Sequence, residues 1–152
     1  LGAGMADGLG YGDNAKAAFV TRGLTEIAAL GVALGANPLT FSGLAGLGDL
    51  IATCASPLSR NHYVGVELAK GRRLKEIIDS MDGVAEGVTT TLAAWNLAQQ
   101  LKLEMPITEK IYEVLYNSAD PRQAAAELML AQGKHELAGR KWKLCSLFNR
   151  QG

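Results

Sequence analysis

Residues 13–35 read DNAKAAFVTRGLTEIAALGVALG, and the build of this stretch decides the fold class. Ala, Leu, Lys and Glu, the strong helix formers, supply nearly half of it. Asp13 stands where an N-cap belongs and Gly35 where a helix stops, so one helix is predicted from about Asn14 to Leu34. At 1.5 Å per residue it is about 30 Å long. Its apolar residues, among them Phe19, Val20, Leu24, Ile27, Leu30 and Leu34, cover more than one face. A helix apolar nearly all round lies central in a core or spans a membrane. Lys16, Arg22 and Glu26 interrupt the run, with Arg22 and Glu26 four apart and within pairing reach. A central core helix is the expectation, with no stable membrane insertion.

The same grammar repeats downstream. Pro38 and Thr40 start a second helical stretch that breaks near Gly46 and Gly48 and resumes from Asp49 to Cys54. Ser59 caps a third helix ending near Lys70 and Gly71, and Leu74 to Met81 forms a short one. Thr89, Thr90 and Thr91 offer capping hydroxyls to a helix running to Leu101. Pro106 suits the first turn of the next, which carries Ile107, Ile111, Val114 and Leu115 at helical spacing. Asp120 and Pro121 open the last, and beyond Gly133 the periodicity lapses. Only Val84 to Val88 passes for a short extended segment. Strands do not alternate with helices, so no nucleotide-binding parallel sheet is expected. The predicted fold is all-α.

Of 152 residues, 48% are apolar and 20% charged, an ordinary globular composition. Fifteen Lys and Arg balance fifteen Asp and Glu, which removes the electrostatic footprint of a nucleic-acid partner. Cys54 and Cys145, and His62 and His135, are scattered; no zinc spacing or disulfide framework is read. Reduced thiols in a cytoplasmic protein are expected. Leu1 followed by small residues is read as the interior of a longer polypeptide.

Several short segments carry chemistry. Gly8, Gly10 and Gly12 do not form a dinucleotide loop, because no strand precedes them; they let the chain turn tightly before the long helix. In Gly43 to Leu50 three glycines crowd Asp49. Asp49 either caps the following helix, the role that spacing favours, or meets a substrate hydroxyl or a catalytic ammonium. Thr53 lies one turn further on the same face. Ser59-Arg60-Asn61 at a helix start suits an anion such as phosphate, or is simply a capped, solvated turn; spacing does not choose. Val84-Ala85-Glu86-Gly87-Val88 places one carboxylate among small residues. Ser59 with His62 shows no acidic third partner at useful spacing, which argues against a hydrolase triad. The stretch from Arg140 to Phe148 mixes basic and bulky apolar residues and is expected to be a loose tail.

Four blocks, GAGMADGLGYGDNAKAAFVTRGL, TFSGLAGLGDLIATCASPLSRN, VAEGVTTT and MPITEKIYEVLY, together resemble the bacterial-type NAD(P)-dependent glycerol-3-phosphate dehydrogenases, from Leu1 to about Glu136. The resemblance implies a helical carboxy-terminal domain of the 6-phosphogluconate-dehydrogenase-like type at residues 1–136, with a divergent tail at 137–152. It implies hydride transfer between NAD or NADP and the pair dihydroxyacetone phosphate and sn-glycerol 3-phosphate, serving glycerophospholipid synthesis. Asp49, Ser59, Arg60 and Asn61 match substrate-binding positions, with Thr53 added from the same block. Arg60, Val84 and Glu86 match cofactor contacts. The family's general acid/base lysine, in a Leu-Lys-Asn motif, precedes the segment matching Leu1, as does its Rossmann domain; Lys16 is no substitute. An inactive half-site and a homodimer are expected. A free-standing helical binding module, or a domain of a related hydroxy-acid dehydrogenase, is the alternative.

Overall fold

A computed structural model describes residues 1–138, with side chains described through residue 130. The expected tail therefore lies outside the described residues, apart from Leu137 and Ala138, which still belong to the last helix. All regular structure among the described residues is helical: α1 Gly2–Gly8, α2 Asp13–Ala33, α3 Pro38–Ser42, α4 Asp49–Ala55, α5 Arg60–Ala69, α6 Leu74–Asp79, α7 Glu86–Leu101, α8 Pro106–Tyr116 and α9 Pro121–Ala138. A single π-helical turn, Leu44–Gly48, joins α3 to α4. No described helix is long and apolar enough to cross a membrane.

Local chemistry sets most of the boundaries. Asn37 Oδ1 accepts from Leu39 N at 3.0 Å, with Pro38 in the first turn where its missing N–H costs nothing. Ser59 Oγ accepts from His62 N and starts α5. Asp120 Oδ1 accepts from both Arg122 N and Gln123 N ahead of α9. Three boundaries differ from expectation. Asp13 lies inside the first turn of α2, behind Gly12 at the cap position, so its carboxylate meets the helix dipole rather than a single N–H. The helix expected from Thr89 begins at Glu86, leaving only Val84 and Ala85 non-helical. Thr89 and Thr91 turn their hydroxyls back onto the carbonyls of Glu86 and Gly87 instead of capping. And α9 continues past Gly133 to Ala138.

The core does not centre on α2. Of that helix only Glu26 is buried, and Ile27, Val32 and Leu34 stay exposed, which corrects the expectation of a central helix. The centre is α1 against α5. Gly2, Ala3, Gly4, Met5 and Ala6 are all buried. A β-carbon on Gly4 would run into the His62 carbonyl, and one on Gly65 into the Leu1 carbonyl. Two backbones in contact leave no room for side chains, so small residues win the middle of the fold. Val64 and Ile77, both fully buried, pack there with Met5, Leu68, Ala85, Val114, Leu115 and Ala124. Each such large aliphatic side chain contributes roughly 1.5–3 kcal/mol.

Nor does Glu26 pair with Arg22. Its Oε1 accepts from Ile107 N at 2.7 Å, and its Oε2 from Thr108 N at 3.0 Å and Thr108 Oγ1 at 2.9 Å. The start of α8 has no cap of its own, and a carboxylate from α2 fills that role across the fold. Its two free N–H groups and positive dipole end reward the carboxylate more than one guanidinium would.

Candidate functional site

The turn Ser56-Pro57-Leu58 delivers the chain to the start of α5, with Ser56 Oγ accepting from Leu58 N at 3.2 Å. Ser59, Arg60 and Asn61 follow as cap and first turn. Ser59 Oγ is already engaged by the His62 N–H, so it orders the turn rather than standing free. Arg60 is exposed, and among the described residues its guanidinium has no ion-pair partner. Asn61 is half-buried, and its Oδ1 accepts from Gly87 N at 2.9 Å. That bond fixes the amide: with the oxygen committed to Gly87, Nδ2 is the group left to donate.

Gly87 sits in the first turn of α7, immediately after Glu86. Asn61 therefore caps α7 from α5 and draws the Val84–Glu86 segment alongside the helix start. Arg60, Asn61, Val84 and Glu86, together with Leu58, line one open recess. Ser59 opens onto the neighbouring recess with Arg60, Tyr63, Met81 and Asp82. Aromatic residues of α8 also anchor α7. Trp95 stacks on Tyr112 with ring centres 4.2 Å apart and planes 2° off parallel, and Tyr116 Oη donates to the Val88 carbonyl at 2.9 Å.

Asp49 and Thr53 belong to neither recess. Both are exposed on α4, four residues apart on one face as expected. The capping role that spacing favoured for Asp49 is not what the structure shows. Gly48 holds the cap position and Asp49 makes no side-chain cap bond, so its carboxylate is available to a ligand.

Behind the first turn of α5 lies a network that spacing does not reveal. Asp7, in α1, has one oxygen 2.6 Å from Lys16 Nζ and 2.7 Å from His62 Nε2. Partial burial alone would raise the Asp7 carboxyl; hydrogen bonds and charge from Lys16 and His62 outweigh it and hold the group below the ordinary aspartate value. His62 thus has an acidic partner after all. Yet Ser59 Oγ accepts from the His62 backbone rather than meeting its ring, and no nucleophile–base contact forms. Cys54, also near this cluster, has its thiol pushed up by burial, opposite to what a reactive thiolate needs.

Leu58 was the missed member of the site. It is 90% exposed and lines both recesses, and its only signal in the sequence is an aliphatic residue between a proline and a capping serine.

Comparison with known proteins gives one answer throughout. The family model for the NAD-dependent glycerol-3-phosphate dehydrogenase C-terminus matches residues 1–126. A glycerol-3-phosphate dehydrogenase [NAD(P)+] of Dehalococcoides mccartyi is 70% identical over 151 residues, covering 99% of this chain and 42% of that protein. One from Enterococcus faecalis is 62% identical over 136 residues, 90% of this chain and 40% of that protein. The crystal structure of the Coxiella burnetii glycerol-3-phosphate dehydrogenase superimposes with a TM-score of 0.82 at 41% identity, over 84% of this chain and 39% of that one. The chain spans about two fifths of the length of these curated relatives. With a family match across most of its length and an all-helical fold shared with a solved relative, the chain belongs to the family of NAD-dependent glycerol-3-phosphate dehydrogenase carboxy-terminal domains.

Proposed function

We propose that this chain is the substrate-binding part of an enzyme that reduces dihydroxyacetone phosphate to sn-glycerol 3-phosphate with NAD(P)H, for glycerophospholipid synthesis. One observation carries the reading. At the start of α5, an unpaired guanidinium (Arg60) and an amide donor (Asn61) stand beside backbone N–H groups at the positive end of a helix. Three kinds of donor and no carboxylate in the same turn favour a phosphate dianion.

Arg60 and Asn61 hold the substrate phosphate, and Ser59 keeps the turn that presents them. Fixing the phosphate fixes the carbonyl carbon, and positioning of this kind supplies roughly 7–11 kcal/mol of barrier reduction. Asp49 and Thr53 are assigned to the substrate hydroxyl, with Asp49 also orienting the general acid. That acid is assigned to the lysine preceding the segment that matches Leu1, and no residue of this chain replaces it. Val84, Glu86 and Arg60 suit the nicotinamide nucleotide: an exposed apolar surface, a carboxylate able to accept from ribose hydroxyls, and a cation for its phosphates share one recess. When bound, the nucleotide supplies the hydride. The proposal includes a cytoplasmic homodimer, supported by the apolar side chains that Ile27, Val32, Leu39, Leu44 and Ile51 leave uncovered.

The test joins this chain to the amino-terminal part of the Dehalococcoides mccartyi relative. The fusion is expected to oxidise NAD(P)H with dihydroxyacetone phosphate, and the chain alone is not. Arg60→Ala in the fusion is expected to lower kcat/KM for the phosphorylated ketone severely. Unchanged kcat/KM rejects the phosphate assignment, and turnover by the isolated chain rejects the half-site.

A further inference from the structure

Arg60 does not reach its position unaided. A β-carbon built on Gly83 would fall 2.7 Å from Arg60 Cζ, 2.9 Å from Nη2 and 3.0 Å from Nη1. With C–N bonds of about 1.33 Å, a point straight above Cζ at that distance lies about 3.0 Å from each nitrogen. The guanidinium therefore rests face-on over Gly83, in the space where any other residue would carry its side chain. Gly83 also has a φ of +97°, in the left-handed region that favours glycine. Two demands, one of backbone and one of space, meet at this residue.

Face-on seating has a chemical consequence. The N–H donors of a guanidinium lie in its plane. A plane held against Gly83 turns those donors outward along its edge, beside Asn61 and Glu86 in the shared recess. We propose that Gly83 is a positioning residue for the phosphate-bearing end of the substrate: a side-chain-free seat that holds the Arg60 fork edge-on to the phosphate. The proposal rests on the phosphate reading above and names a residue outside the motif that carries it.

A glycine needed only for its φ is distinguishable from a glycine needed as a seat. Asn tolerates left-handed backbone better than other L residues yet still carries a β-carbon. Gly83→Asn and Gly83→Ala would be made in the fusion, and kcat/KM measured with dihydroxyacetone phosphate and with dihydroxyacetone, which lacks the phosphate. If Gly83 seats Arg60, both variants, assayed at saturating NAD(P)H because Arg60 also faces the nucleotide, lose at least about tenfold on the phosphorylated ketone, the worth of one charge-assisted hydrogen bond, and several-fold less on dihydroxyacetone. Adding Gly83→Asn to Arg60→Ala then changes the ratio between the two substrates no further. Equal losses on both substrates, an unchanged ratio, or an additive loss in the double variant overturns the seat. Should Gly83→Ala fail to fold, Gly83→Asn and its substrate ratio decide. A wild-type fusion inactive with dihydroxyacetone phosphate brings down the dehydrogenase reading and the seat with it. An active wild type with an unchanged ratio in the variants brings down the seat alone.

Discussion

The side-chain carbonyl of Asn61, in the first turn of α5, accepts the backbone N–H of Gly87 in the first turn of α7. One amide thus holds two helix starts together and keeps its donor for a ligand. The two jobs separate by substitution. Asn61→Asp keeps an acceptor for Gly87, at a helix start where negative charge is favoured, but turns an oxygen toward the phosphate. Urea unfolding is expected to shift by no more than about 0.5 kcal/mol, while kcat/KM for dihydroxyacetone phosphate in the fusion falls at least about tenfold. Asn61→Ala should lose the same activity and about 1 kcal/mol of stability with the cap. An Asp variant less stable than the Ala variant would show that Gly87 is not what Asn61 holds.

Glu26 makes a second prediction through its three donors on α8. Truncation to Ala strands Ile107 N and the Thr108 groups, at about 1–3 kcal/mol for each buried donor left without a partner. Glu26→Gln keeps the Ile107 bond but sets an amide donor against Thr108, so its loss should be intermediate. The pH dependence has an unusual sign. Burial raises the Glu26 carboxyl above its ordinary value of 4.5, against the pull of Ile107, Thr108 and Arg22. The unfolded chain therefore releases this proton first. Stability from this group falls as pH rises from about 4.5 through the raised folded value. Urea titrations from pH 4 to pH 7 should show this fall in the wild type and not in Glu26→Gln; a parallel pair of curves rejects it.

What was legible in the sequence, and what was not, divides along physical lines. Ser59 and Asp120 could be read because capping is local: the residue and the N–H groups it serves are neighbours in the chain; Pro106 could be read because its fit to a first turn depends only on its own ring. Asn61 and Glu26 could not, because each caps a helix far along the chain. Helix α1 escaped for a different reason. Gly2 to Gly8 carries one large apolar side chain, Met5, so it shows no apolar stripe, and its burial depends on glycine contacts that exist only when α5 is in place. The length and apolar content of α2 pointed to the centre, a place that backbone contact between α1 and α5 took instead. In the site, Ser59, Arg60 and Asn61 were legible as a helix start, and Val84 and Glu86 only through the family resemblance. Gly83 gave no signal, since one glycine in a loop looks like another until an arginine is found lying on it.

Asp7 offers a test of opposite sign to Glu26. Its carboxyl is held below the aspartate value of 3.8: burial works against this, and the bonds and charges of Lys16 and His62 prevail. A group with a depressed folded value contributes stability above its unfolded value and loses it as pH falls through the folded one. Asp7 is about a third exposed, so the contribution at neutral pH is set at about 1 kcal/mol. Asp7→Asn should be less stable than wild type by that amount at pH 7, and the gap should close as the pH drops below 3.8. A gap that is constant or widens in acid would assign the loss to packing rather than to the ion pairs.

The close crossing of α1 on α5 yields the last prediction. At Gly65 a β-carbon would meet the Leu1 carbonyl and the backbone around Gly4 and Met5, and neither is the movable end of a side chain. Gly65→Ala must therefore push two helices apart at the middle of the core, where Met5, Val64 and Leu68 pack. Helix propensity works in the other direction, since Ala in a helix interior is favoured over Gly by about 1 kcal/mol. The clash is expected to win, at about 1–3 kcal/mol net, because burial on both sides leaves the strain nowhere to go. Among the described residues nothing lies within reach of a β-carbon added at Gly23, on the half-buried middle of α2, so there propensity acts alone and Gly23→Ala should stabilise. Urea unfolding of the two variants separates the effects: opposite signs support the backbone contact as the organising feature of the fold, and stabilisation by both would show that α1 does not sit against α5 in solution.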